Sequence, residues 1–158
     1  MPESNHWIKD HYEEGKMDTL LVPCDGSDNS LRAVRHAVDT VQQRLAPTAI
    51  ELLHVLDPVT FTSLALTLKD DSWRRERPAE VDRMLASAEQ VVREAGVPYR
   101  VCWRVGQPVD EIAAEARDKS FIAVVLGTRG RGAIANLLLG SVSSRVAFLV
   151  DVPVTLVK

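Results

Sequence analysis

From Thr19 to the C-terminus, short and nearly continuous apolar runs alternate with longer stretches whose apolar residues recur every three or four positions. Thr19–Cys24 (TLLVPC) and Phe121–Leu126 (FIAVVL) have almost no polar face. A strand of that kind must be covered on both sides, as the central strands of a parallel sheet are. The stretches between such runs carry one apolar stripe each, the mark of helices packed on a sheet. The order reads β-α-β-α-β-α-β-α-β, which implies a parallel sheet with helices on both faces.

The elements follow from local signals. Asp25–Ser30 (DGSDNS) ends the first strand and offers several helix caps. Leu31, Val34, Val38, Val41 and Leu45 form the first helical stripe, which Pro47 closes. Ile50–Val55 is the second strand. The connection from Asp57 to Pro78 exceeds ordinary loop length and predicts a short helix or a lid. Val81, Leu85, Ala88, Val92 and Ala95 make the second stripe, closed by Gly96 and Pro98. In the third strand Tyr99, Val101, Trp103 and Val105 alternate with Arg100, Cys102 and Arg104, so one face is expected to be wetter, as on a sheet edge. Gly106-Gln107-Pro108 opens a third helix with Val109, Ile112, Ala113 and Ala116 inward. A glycine-punctuated loop from Gly127 to Gly140 leads to a short helix over 141–150 with Val142, Val146 and Leu149 inward. Residues 152–157 are a last strand.

Right-handed crossovers leave few topologies. Placing the two most apolar strands, the first and fourth, side by side gives a single doubly wound five-stranded parallel sheet in the order 3-2-1-4-5, a Rossmann-like α/β fold. Ligands of such sheets sit at the C-terminal strand ends, at the switch point between the first and fourth strands. Residues 18–158 are expected to form this one domain. Residues 1–17 read as a charged arm, flexible or docked on a partner.

Composition removes several function classes. The formal net charge is -3, which argues against a nucleic-acid binder. No apolar run reaches the roughly 18 residues of a membrane helix. The first residues have no apolar core of a secretory signal, so a cytoplasmic protein is expected. Cys24 and Cys102 match no metal spacing and lie on non-adjacent strands, so both are expected to be reduced core thiols.

The chemistry-bearing stretch is Leu126-Gly127-Thr128-Arg129-Gly130-Arg131-Gly132, followed further on by Gly140-Ser141-Val142-Ser143-Ser144. It leaves a buried strand and opens a helix. Glycines let the backbone approach phosphate oxygens without a Cβ in the way. The N–H groups of Ser141, Val142 and Ser143 would point at the anion with the helix dipole behind them. Ser141 and Ser143 can add hydroxyl donors or ligate a metal. The dipole alone contributes about 0.3–1 kcal/mol at an exposed site, so affinity must come from several N–H bonds together with nearby cations. Lys119, Arg129, Arg131 and Arg145 supply those cations, and no Asp or Glu lies between Lys119 and Val150. A plain flexible loop with solvated arginines would also satisfy the composition. GxxxxGK[ST] does not occur, and no GxGxxG follows the first strand, which disfavours a P-loop ATPase and an ordinary dinucleotide fold.

Taken together, Gly127-x2-Gly130-x9-Gly140-Ser141 resembles the ATP-binding signature of the universal stress protein family. Val22-Pro23-Cys24-Asp25-Gly26-Ser27 is similar to that family's opening VPxDGS, Leu52-Leu53-His54-Val55 to its LLHV, Gly106-Gln107-Pro108 to its GxP, and Pro153-Val154 to the Pro-Val of its last strand. The landmarks span residues 19–158 in the family's order. The resemblance implies a fold of the adenine nucleotide alpha hydrolase kind. It also implies roles: Asp25 on the ribose, Pro23 in the floor, Val55 offering backbone groups to adenine, and Gly127 and Gly130 near the ribose and α-phosphate, with Leu126 and Arg131 also among the nucleotide-binding residues. Gly140, Ser141, Val142 and Ser143 would take the outer phosphates, with a magnesium or manganese ion held mainly by the phosphates. Ile122 stands where the family often has an acid.

Single residues keep alternatives. Asp25 either lines the site or caps the first helix, and His54 reads as structural. The apolar last strand is an exposed edge. It predicts a two-fold homodimer through residues 152–157, in line with the family's usual assembly, unless the N-terminal arm covers that edge. The glycine stretch contains no acid or His to act as a base. The leading expectation is therefore an ATP-dependent switch or stress-response binding protein with an unidentified protein partner, absent or slow hydrolysis and no catalytic residue. The alternatives are an enzyme of adenylyl or phosphoryl transfer, with the 57–78 connection supplying the acceptor pocket, and a dimeric module that binds no nucleotide.

Overall fold

The computed structural model describes residues 6–7, 17–59, 62, 77–118, 121–128 and 140–158. Its strands are β1 (His6–Trp7), β2 (Asp18–Pro23), β3 (Thr48–Leu56), β4 (Tyr99–Val105), β5 (Ala123–Gly127) and β6 (Val154–Val157). The helices between them are α1 (Asp28–Gln43), α2 (Ala79–Glu94), α3 (Pro108–Asp118) and α4 (Ser141–Leu149). The five parallel strands stand in the order β4-β3-β2-β5-β6, as the alternation predicts, and β1 adds an antiparallel sixth at the β4 edge.

Helices α1 and α2 cover one face of the sheet, and α3 and α4 the other. Ala33, Val34, Ala37 and Val38 of α1 and Val81, Leu85, Ala88 and Val92 of α2 pack with Leu20, Val22, Ile50, Leu52, Val101 and Trp103. On the opposite face Val109, Ile112 and Ala116 of α3 and Val146 of α4 meet Leu21, Leu53, Cys102, Val124 and Leu126. The change of face falls between β2 and β5.

Three details depart from the sequence expectation. Helix α1 ends at Gln43, and Leu45 lies beyond it, fully exposed. Ala33 and Ala37, which bring α1 close to the sheet, complete its buried stripe instead. In α4, Ser143 and Val146 are buried but Leu149 and Phe148 are exposed, so its buried face ends at Val146. The expected wet face of 99–105 is covered by α3. Arg100 is buried against Glu51, and Arg104 bonds Glu115 and lies 3.5 Å from Glu111. Glu51, Cys102 and Glu115 bring three possible metal-ligating atoms within 4.8 Å of one another. Both carboxylates are neutralised by guanidinium groups, so the set is an ion-pair layer between sheet and helix.

The arm supplies β1, in which His6 pairs with Val101 and Trp7 with Arg100. This is the edge opposite β6, so these residues do not cover the C-terminal strand. Among the described residues β6 has a strand neighbour only in β5.

Candidate functional site

In a parallel ladder successive residues address opposite neighbours. On β3 the N–H of Ile50 bonds Pro98 and the carbonyl of Leu56 accepts from Gly106, both toward β4, whereas the carbonyl of Leu53 accepts from Cys24, toward β2. Val55 therefore turns its N–H and C=O toward β2. The β2–β3 ladder stops at Pro23↔Leu53, so these two groups face a space past the end of β2. The same alternation sets the nitrogen of Pro23 toward β5, and proline has no N–H to carry that ladder beyond Leu21↔Val124.

The turn after β2 is held by side chains. The imidazole Nδ1 of buried His54 lies 2.7 Å from the carbonyl oxygen of Cys24. A carbonyl only accepts, so His54 carries its proton on Nδ1. Asp25 Oδ1 accepts from the Ser27 N–H at 3.0 Å and from the Ser27 hydroxyl at 2.6 Å. Ser27 in turn caps α1, accepting from the Ser30 N–H. Gly26 between them has φ +79, a turn conformation that suits glycine. Asp25 thus steadies the cap of the first helix while standing half-exposed at the sheet's C-terminal edge. Burial pushes the Cys24 thiol up, with the Asp25 carboxylate adding to it. It stays a protonated core group.

From the other side, the end of β5 ties down the start of α4. The Thr128 N–H bonds the carbonyl of Val157, and the Thr128 carbonyl accepts from the Gly140 N–H at 2.6 Å. The hydroxyl of Ser143 lies 3.1 Å from the carbonyl oxygens of both Thr128 and Gly140. Its proton is engaged there, which leaves the Ser143 backbone N–H, and not its hydroxyl proton, to meet a ligand. Ser144 closes the first turn on Gly140. No side chain caps α4. Among the described residues, no hydrogen bond uses the N–H groups of Ser141, Val142 or Ser143. Three donors at a helix start, with the positive end of the dipole behind them, have the chemistry to accept an anion.

The structure therefore brings Pro23, Asp25, Val55, Gly127, Gly140, Ser141, Val142 and Ser143 to one edge of the sheet. Leu126 is buried in the core, so only its backbone can contribute. Gly130 and Arg131 lie outside the described residues, as do Lys119, Arg129 and most of the 57–78 connection. Pro58, Val59 and Thr62 in that connection are helical, where a short helix is expected. Sequence reasoning missed the use of His54 as a clamp on Cys24, and of Thr128 as the hub joining β5, β6 and α4. Neither leaves a pattern of its own. The only hint is position, since His54 lies near the end of β3 and Thr128 directly follows β5.

The family model for the universal stress protein family matches residues 16–158. The chain belongs to this family. Among its relatives, universal stress protein YxiE of Bacillus subtilis is 32% identical over 146 residues, covering 88% of this chain and 97% of the relative. The structure of protein MJ0577 superposes with a TM-score of 0.73 at 24% identity, covering 90% of this chain and 96% of that one, which speaks for the fold. A universal stress protein in complex with cAMP superposes with a TM-score of 0.63 at 26% identity, covering 91% and 98%. Membership gives the alternation of strands and helices its architecture. It also explains why the sequence landmarks gather at one edge of the sheet.

Proposed function

We propose that this universal stress protein binds ATP, or a closely related adenine nucleotide, at the switch point between β2 and β5. The observation that carries the reading is the uncapped start of α4. Its three N–H donors face the same edge as the open N–H and C=O of Val55. One donor and one acceptor on a backbone suit the edge of adenine, and converging amides suit a polyphosphate. The complex of a 26% identical family member with cAMP supports the adenine class. In this reading Asp25 serves the ribose hydroxyls, and the charges of Arg131 and of the exposed Arg145 serve the phosphates. A magnesium or manganese ion would be held chiefly by phosphate oxygens, with the exposed Ser141 hydroxyl as the protein donor.

The protein acts as a nucleotide-dependent switch or stress-response binding protein for a protein partner. Hydrolysis is absent or slow. The segment 127–144 has no acid or His, and the Oδ1 of Asp25 is engaged by Ser27. A two-fold homodimer forms through residues 152–157, an assembly suited to the outer edge of β6, on which no strand lies among the described residues, and to Phe148, 89% exposed just before it. The two free, buried cysteines suit the cytoplasm. Among the described residues no helix is long and apolar enough to cross a membrane.

Acid extraction of the purified protein, followed by chromatography, should release adenine nucleotide. Calorimetric titration of the stripped protein with ATP and magnesium should give saturable heat, and GTP much less. Empty extracts together with a flat titration would remove the reading. Rapid metal-dependent phosphate release would remove the switch and favour an enzyme.

A further inference from the structure

The ladder between β2 and β3 stops one step short of where the chain could carry it. Alternation along β3 makes Leu53 and Val55 the residues that address β2. Leu53 does so, its carbonyl accepting from the Cys24 N–H at 2.7 Å. One step further, the same ladder would bond the Val55 N–H to the Cys24 carbonyl and the Gly26 N–H to the Val55 carbonyl. Neither bond forms. The Gly26 N–H is lost to the turn, because φ +79 departs from the extended backbone that a ladder needs. The Cys24 carbonyl is lost to His54, whose Nδ1–H takes it at 2.7 Å. A strand side chain stands off the plane of the sheet. A carbonyl bound to it is therefore turned away from the line along which Val55 would donate. Cys24 and His54 are 4% and 7% exposed, so little water competes for this bond.

We propose, resting on the reading of Val55 as the adenine contact, that His54 is the positioning residue that holds this edge open. By keeping the Cys24 carbonyl to itself, the imidazole leaves the Val55 N–H to a ligand. Without it, a buried acceptor and an unused donor stand one ladder step apart. A buried carbonyl needs a partner, so the two pair, β2 and β3 gain a bond and the edge closes. His54 thus acts on recognition of the base. The start of α4, where the phosphates are proposed to bind, is built from other elements.

The test begins with the unsubstituted, ligand-free protein. Its Val55 amide should exchange with solvent at least about tenfold faster than the laddered Leu53 amide. The imidazole 15N spectrum should place the His54 proton on Nδ1. His54→Leu removes the donor and should slow exchange at Val55, the opposite of what simple loosening of a buried position would give. In calorimetry the same change should weaken adenosine binding by about tenfold, the loss of one or two hydrogen bonds. Binding of inorganic triphosphate should stay within about twofold. His54→Asn, which sets an amide N–H near the place of Nδ1–H, should restore fast exchange at Val55 and most of the adenosine affinity. A Val55 amide already protected in the unsubstituted protein, or a His54 proton on Nε2 alone, overturns the proposal even if no variant folds. Unchanged or faster Val55 exchange in His54→Leu, equal losses of adenosine and triphosphate, or no restoration by His54→Asn also overturn it. Adenosine that gives no heat with the unsubstituted protein, while Val55 exchanges as stated, would remove adenine from this edge and leave His54 as the residue that opens it.

Discussion

At Gly127 an added Cβ would lie 2.7 Å from the carbonyl carbon and oxygen of Asn29 and 3.0 Å from the Ser30 nitrogen. These are backbone atoms of the first turn of α1, which cannot swing aside as a side chain could. Gly127→Ala should therefore destabilise the fold by about 1–3 kcal/mol, the usual cost of overpacking. It should also weaken nucleotide binding by displacing the Ser27–Ser30 turn. Denaturant unfolding and calorimetry read the two effects separately. Gly140 is different. Its φ of -71 and ψ of 159 are open to any residue, so the backbone conformation does not require glycine, whereas close approach of the proposed phosphates would. Gly140→Val should leave stability within about 1 kcal/mol of the original and abolish the heat of ATP titration. A nucleotide that survives Gly140→Val would place the phosphates elsewhere. The sequence groups both glycines in one motif and cannot separate them, because the backbone of α1 fills the space beside Gly127, whereas the proposed phosphates would fill that beside Gly140. Cys24 belongs to the same scale. With its thiol held protonated by burial, alkylation at neutral pH should be slow in the folded protein and prompt after denaturation, as thiol counting by mass would show.

For the elements, strand 99–105 marks the limit of pattern reading. Alternating charge reads as a wet face because most charged side chains face water. Here Glu51, on the neighbouring strand, and Glu115, on α3, supply countercharges that only the assembled sheet brings near. The pairing is testable. Glu51→Gln leaves the Arg100 guanidinium buried beside a neutral amide and should cost about 3–5 kcal/mol. Replacing both Glu51 and Arg100 by leucine should recover most of that loss, because the fault lies in the unpaired charge. Chemical denaturation of the single and double variants checks both. The continuous apolar strands and the helical stripes of α2 and α3 were legible because a buried face leaves an unbroken record in the sequence. The turn bonds of Asp25, His54 and Thr128 were not, since each links one side chain or carbonyl to a distant backbone atom.

Across the whole molecule, the order of the five parallel strands follows from handedness and from which strands need cover on both faces. The exchange of helix faces between β2 and β5 then fixes where a ligand can sit. The edges matter as much as the centre. Odd-numbered residues of β6 bond β5, so the Leu156 N–H points outward. Leu156→Pro should leave the β5–β6 bonds intact and convert the proposed dimer to monomer in sedimentation experiments. Ligand linkage gives the broadest test. A nucleotide that binds only the folded chain, present at one hundred times its Kd, stabilises by about 2.7 kcal/mol. For a domain of this size each kcal/mol raises Tm by about 2–4 °C, so ATP with magnesium should raise the melting temperature by about 5–10 °C. The shift should grow with the logarithm of ligand concentration, and Gly140→Val should remove it while keeping the ligand-free melting point. A shift that GTP or inorganic triphosphate reproduces in full would assign the site to phosphate alone. In that case the open backbone of Val55 would have no part in recognition.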